Sequence, residues 1–91
     1  MIIMVILSED LKDGFINRLR KHEDINFTYF SPVYGKGSSG IRFGKDFAPG
    51  ENTLFLIDSS DNNEIAVIKA IIQDIKAKKK PKQGLHAIFI E

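Results

Sequence analysis

The sequence predicts an α+β fold of the ferredoxin-like βαββαβ type, a four-stranded antiparallel sheet with two helices on one face. Short apolar runs rich in β-branched residues occupy 1–7, 53–58 and 85–90, and turn signals bound them. Residues 25–30 alternate with a period of two. Apolar residues recur at helical spacing after residue 9 and again after residue 62. Right-handed crossovers between these segments leave one economical topology. At 91 residues the chain makes a single domain, 1–91.

Residues 1–7, MIIMVIL, read as a strand buried on both faces. Ser8, Glu9 and Asp10 supply an N-cap and an acidic first turn. Leu11, Phe15, Ile16 and Leu19 then predict a helix over 9–22, with Arg18, Arg20 and Lys21 near its negative end. Gly14 costs that helix roughly 1 kcal/mol relative to alanine, and close packing is the simplest reason for it. In the next strand Ile25, Phe27 and Tyr29 point one way, and Asn26, Thr28 and Phe30 the other. Pro32 cannot donate to a ladder, so this strand bulges there or pairs on one side only. A glycine-rich basic loop over 35–50 leads to the strand 53–58. Asp58, Ser59, Ser60 and Asp61 offer caps for a second helix with an Ile65, Ile68, Ile72 and Ile75 stripe widened by Val67 and Ile71. Lysines crowd its end, Pro81 and Gly84 stop it, and 85–90 form the last strand.

Both helices fall on one face, which leaves the other sheet face uncovered. Met1, Ile3, Val5, Phe30, Phe55 and Ile57 are expected to make that face apolar. Self-association is its simplest cover.

Composition narrows the function. The 13 basic and 12 acidic residues give a net charge of +1, so affinity for anions must be local. The absence of cysteine excludes disulfides, thiolate metal sites and cysteine nucleophiles and is compatible with a reducing compartment. The apolar run 1–7 is far short of the ~20 residues of a membrane span, and it lacks the flanks of a signal peptide. A cytoplasmic protein without membrane insertion is the expectation.

Two basic stretches carry the candidate chemistry. Gly35, Lys36, Gly37, Ser38, Ser39 and Gly40 match G-x-G-x-x-G after a strand. No helical period follows, so the dinucleotide reading fails, and the lysine is misplaced for a phosphate-binding P-loop. The remaining readings are an anion nest built from backbone N–H groups beside Lys36 and Ser38, or a hairpin loop that needs glycine dihedrals. Lys76, Lys78, Lys79, Lys80 and Lys82 precede Gly84. They either bind phosphate or answer the helix dipole. In this topology the two glycine-containing loops can converge across a subunit boundary.

Catalytic constellations are poor. His22 and His86 lie in different elements without carboxylates at metal-ligand spacing, so no metal site and no catalytic residue is expected. Phe27, Tyr29, Phe55 and Phe89 read as core, and the RNA-recognition signature is missing, so nucleic acid is not an expected partner.

With these residues in place the chain resembles the P-II (nitrogen-regulatory) signalling family over nearly its whole length. The stretch Tyr34, Gly35, Lys36, Gly37, Ser38, Ser39, Gly40 is similar to the start of that family's T-loop. Asp46, Phe47, Ala48, Pro49, Gly50 is similar to its close, and Ala87, Ile88, Phe89, Ile90, Glu91 to its last strand. The loop is shorter than the family's, the lysine that closes it appears as Gly50, and the B-loop is reduced to Lys79, Lys80, Pro81, Lys82, Gln83 and Gly84.

The resemblance implies a non-enzymatic signal-transduction regulator, a homotrimer with sheets packed inward. It implies adenine-nucleotide binding in clefts between subunits, with Gly35, Lys36, Gly37 and Ser38 meeting Lys80, Lys82 and Gly84 around the ligand. It also implies a regulated protein partner, a transporter or an enzyme, contacted through residues 36–50. The alternative is a ferredoxin-like trimer resembling the CutA group, with a metal-tolerance or structural role.

Overall fold

The computed structural model describes residues 1–37, 40–42 and 51–91. The order is β1 (Ile2–Ser8), a 3-10 turn (Glu9–Leu11), α1 (Lys12–Arg20), β2 (Phe27–Val33), β3 (Gly35–Gly37), β4 (Gly40–Arg42), β5 (Asn52–Asp58), α2 (Asn62–Lys78) and β6 (Leu85–Ile90). β2, β5, β1 and β6 form the four-stranded sheet in that order, all antiparallel. The predicted ferredoxin-like α+β arrangement is therefore present. The stretch expected to be plain loop from Gly35 onward instead begins with a second small sheet, β3 against β4. The expected segment 36–50 otherwise lies outside the described residues at 38, 39 and 43–50.

Strand register sorts the side chains. Ile3, Val5 and Leu7 lie beside Ile57, Phe55 and Thr53, and all six are buried at 1% exposure or less. Phe15 and Leu19 of α1 and Ile68, Ile71 and Ile72 of α2 close over them. Phe15 meets Phe55 edge-on, ring centroids 4.8 Å apart. This face carries the core. The expectation that Ile3, Val5, Phe55 and Ile57 lie on the uncovered face is corrected: in a strand alternate residues change face, and these belong to the helix side.

The uncovered face is formed by the intervening residues, in three cross-strand rows. Ile90, Ile2 and Asp58 make the first, Ile88, Met4, Leu56 and Thr28 the second, and His86, Ile6, Leu54 and Phe30 the third. Ile2, Phe30, Ile88 and Ile90 are exposed. The face is apolar as expected, but through a different residue set.

Several local expectations change. Helix α1 begins only at Lys12, after the 3-10 turn, and Ser8 makes no side-chain capping bond. Gly14 is exposed, and a Cβ there would meet nothing within 4 Å, so close packing does not explain it. Tyr29 and Phe89 are 45% and 39% exposed rather than core. They sit on the helix side of the two edge strands, β2 and β6, where helix cover runs out. Phe55 and the partly buried Phe27 do belong to the core region.

Two other expectations hold, the irregularity at Pro32 and the cap of α2. Register is lost between Phe30 and Val33, so β2 bulges around Pro32. Asp61 caps α2, its Oδ1 accepting from the N–H groups of Asn63 and Glu64 at 2.8 and 3.1 Å. No helix among the described residues is long and apolar enough to cross a membrane.

Candidate ligand site

β1 and β2 end, and β5 and β6 begin, at one end of the sheet. The segments that carry both basic stretches leave the sheet there. Residues 34–51 join β2 to β5, and residues 79–84 join α2 to β6. Their anchors are consecutive residues in sequence, Ser8 and Glu9.

Ser8 is buried. Its N–H donates to the Gly84 carbonyl at 2.9 Å, and its Oγ accepts from the Gly84 N–H at 2.6 Å. The connection 79–84 also closes on itself. Lys80 N–H donates to Gln83 Oε1 at 2.7 Å, Gln83 N–H donates to the Lys80 carbonyl at 3.0 Å, and Gln83 Nε2 donates to Asp10 Oδ2 at 2.9 Å.

Glu9 faces the other way. Its N–H donates to the Glu51 carbonyl at 3.0 Å. Its Oε2 accepts from Ser31 Oγ at 2.5 Å and from Thr53 Oγ1 at 2.6 Å, while Oε1 accepts from Lys12 Nζ at 2.7 Å. The Lys12 bond first, then the two hydroxyls, hold the Glu9 carboxyl down to about 2 from an ordinary 4.5. The same contact raises Lys12. Glu9 therefore remains an anion at any physiological pH, and Lys12 offsets its charge.

Of the residues singled out from sequence, Gly35, Lys36 and Gly37 lie in β3, with Lys36 opposite Ile41. Ser38 lies outside the described residues. Lys80 is exposed, and Gly84 is held at the Ser8 clasp. Sequence reasoning missed Ser8, Glu9, Ser31 and Thr53. The signal is a serine and a carboxylate directly after an apolar strand, a pattern that sequence alone reads as a helix cap.

A shallow depression of about 510 Å³ lies elsewhere, lined among others by Met1, Asn62, Ile65, Lys69 and Glu91. It is open to solvent, and polar and apolar side chains line it together. The segments carrying the two basic stretches leave the sheet at its other end. Among the described residues no three His, Asp or Glu side chains gather as a metal site.

Neither a protein-family model nor a curated protein matches the sequence. Solved structures do match. The nitrogen regulatory PII-like protein CPII from Thiomonas intermedia K12, bound to ADP, AMP and bicarbonate, superposes with a TM-score of 0.64 at 18% identity, over 96% of this chain and 83% of that one. A second CPII structure, bound to ADP and bicarbonate, gives 0.63 at 17% identity with the same coverage. A candidate PII-like signalling protein from Thermus thermophilus gives 0.55 at 24% identity, over 96% of this chain and 81% of that one. The structural neighbours of this chain are thus PII-like signalling proteins, the family its sequence resembles, and it shares their fold over nearly its whole length.

Proposed function

We propose that this protein is a PII-like, non-enzymatic signal-transduction regulator that senses a small anionic ligand, an adenine nucleotide, in clefts between the subunits of a homotrimer. The observation that carries the reading is that the flanks of the 34–51 segment, at Ser31, Glu51 and Thr53, and Gly84 of the 79–84 connection are bonded to the consecutive residues Glu9 and Ser8 at one sheet end. Support comes from the fold, whose neighbour CPII is bound to ADP, AMP and bicarbonate.

In this reading Gly35, Lys36, Gly37 and Ser38 approach the ligand from one subunit, and Lys80, Lys82 and Gly84 from its neighbour. The Gly84 N–H is engaged by Ser8. Attraction to phosphate from the 79–84 connection therefore falls to the lysine side chains, while Gly84 holds the turn. Nucleotide occupancy is read out through residues 36–50 to a transporter or enzyme partner.

The test is titration calorimetry with ADP, AMP and ATP, with and without bicarbonate, beside a divalent-metal panel. Micromolar to millimolar nucleotide binding supports the reading. Metal binding without nucleotide overturns it in favour of the CutA-like alternative.

A further inference from the structure

The β2 bulge interrupts the ladder to β5 between Phe30 and Val33. The strand leading into Gly35 therefore loses backbone pairing just where its direction must be set. The Glu9 carboxylate spans that gap. One oxygen takes the hydroxyls of Ser31, inside the bulge, and Thr53, on the facing strand. Thr53 Oγ1 also reaches Ser31 Oγ at 3.2 Å. Lys12 holds the second oxygen and so fixes the rotamer.

On the other side of one peptide bond, the buried Ser8 grips Gly84 by two hydrogen bonds. Successive Cα atoms are about 3.8 Å apart and the peptide plane is stiff, so there is little slack between the two grips.

We propose that Ser8 and Glu9 form a two-sided joint, a positioning pair that sets the stem of the 34–51 segment and the 79–84 connection in one fixed relation, so that a displacement at either is passed to the other. The joint stands on the hydrogen bonds alone; its role in ligand sensing rests on the proposed function. Neither residue needs to touch the ligand.

Amide hydrogen exchange by NMR on the full chain tests it. The Gly84 N–H is the readout for Glu9 variants, because Glu9 makes no bond to Gly84, and the α2 amides of Ile68 and Ile72 report global stability. Glu9→Ala should speed Gly84 exchange about tenfold relative to the α2 amides, as expected for losing charge-assisted bonds. Glu9→Gln, which keeps an oxygen acceptor for Ser31 and Thr53, should restore most of that protection.

Unchanged Gly84 exchange in Glu9→Ala overturns the joint, since the two grips are then independent. Equal acceleration at Gly84 and in α2 also overturns it, because Glu9 then only stabilises the fold. In an ADP titration, binding to the wild type should slow Gly84 exchange, and Glu9→Ala should weaken ADP affinity about tenfold. If the wild type binds no ADP, the functional reading falls and the exchange result still decides the joint.

Discussion

At the scale of the residue, Glu9 makes a stability prediction with a definite sign. Its carboxyl titrates at about 2 in the folded chain against an ordinary 4.5. The unfolded chain therefore takes up the proton first as pH falls, so the stabilisation is complete above about pH 4.5 and is lost progressively towards pH 2. Allowing for solvent screening of a partly exposed group, roughly 1 kcal/mol is at stake. Chemical denaturation from pH 6 to pH 2 should show this acid limb in the wild type and a flatter one in Glu9→Gln. The candidate lysines make a prediction about affinity. A charge-assisted contact to phosphate contributes roughly 1.5–3 kcal/mol, so Lys36→Ala and Lys82→Ala should each weaken ADP binding about tenfold or more. Lys12 is unsuited as a charge control because it binds Glu9. The exposed Lys21 serves instead, and equal loss in Lys21→Ala would reduce the site to diffuse attraction. The basic residues of the candidate site stand out in sequence because lysines lie next to glycines in a chain of net charge +1. Ser8, Glu9, Ser31 and Thr53 were not, because their contacts span 22 to 76 positions, and a serine followed by two carboxylates after a strand signals a helix cap first.

Among the elements, periodicity was the reliable guide. The stripe on α2 and its Asp61 cap were readable because helical spacing and capping chemistry are local. The alternation in β2 was readable for the same reason. Which face of β1 and β5 meets the helices was not, because their runs are apolar on both faces and alternation carries no sign there. The start of α1 was misplaced because the first turn after β1 tightens to 3-10. The helices offer two opposite stability tests. Asp61→Ala removes the acceptor for two N–H groups and should cost about 1 kcal/mol. Gly14→Ala gains helix propensity in open space and should stabilise by about 0.5–1 kcal/mol. Thermal melts of the two variants should shift in opposite directions. A destabilised Gly14→Ala would mean that the position serves a contact made by another subunit or partner.

The whole molecule is defined by its uncovered sheet face. Ile2, Met4, Ile6, Phe30, Leu54, Leu56, Ile88 and Ile90 form one apolar surface, with Thr28, Asp58 and His86 the polar residues among the described cross-strand rows. A patch of that extent is rare on a monomer, and three such faces turned inward would bury it. Light scattering at micromolar concentration should therefore give a mass near three chains of 10.3 kDa. Where a charge is placed decides what it tests. Val5 is fully buried against the helices, so Val5→Lys leaves an unpaired charge in the core, costs several kcal/mol and unfolds the chain whatever its assembly. Met4 and Leu56 lie side by side on the uncovered face. In the single chain both are half-buried, and the long stem of a lysine can lie on the face while carrying its ammonium to water, so Met4→Lys should leave the far-ultraviolet circular dichroism spectrum intact while splitting the trimer. Leu56→Lys should do the same from the neighbouring strand. A wild-type protein that is monomeric at this concentration, or a Met4→Lys variant that keeps the wild-type mass while folded, would remove the trimer. The clefts between subunits, and the nucleotide site proposed for them, would go with it.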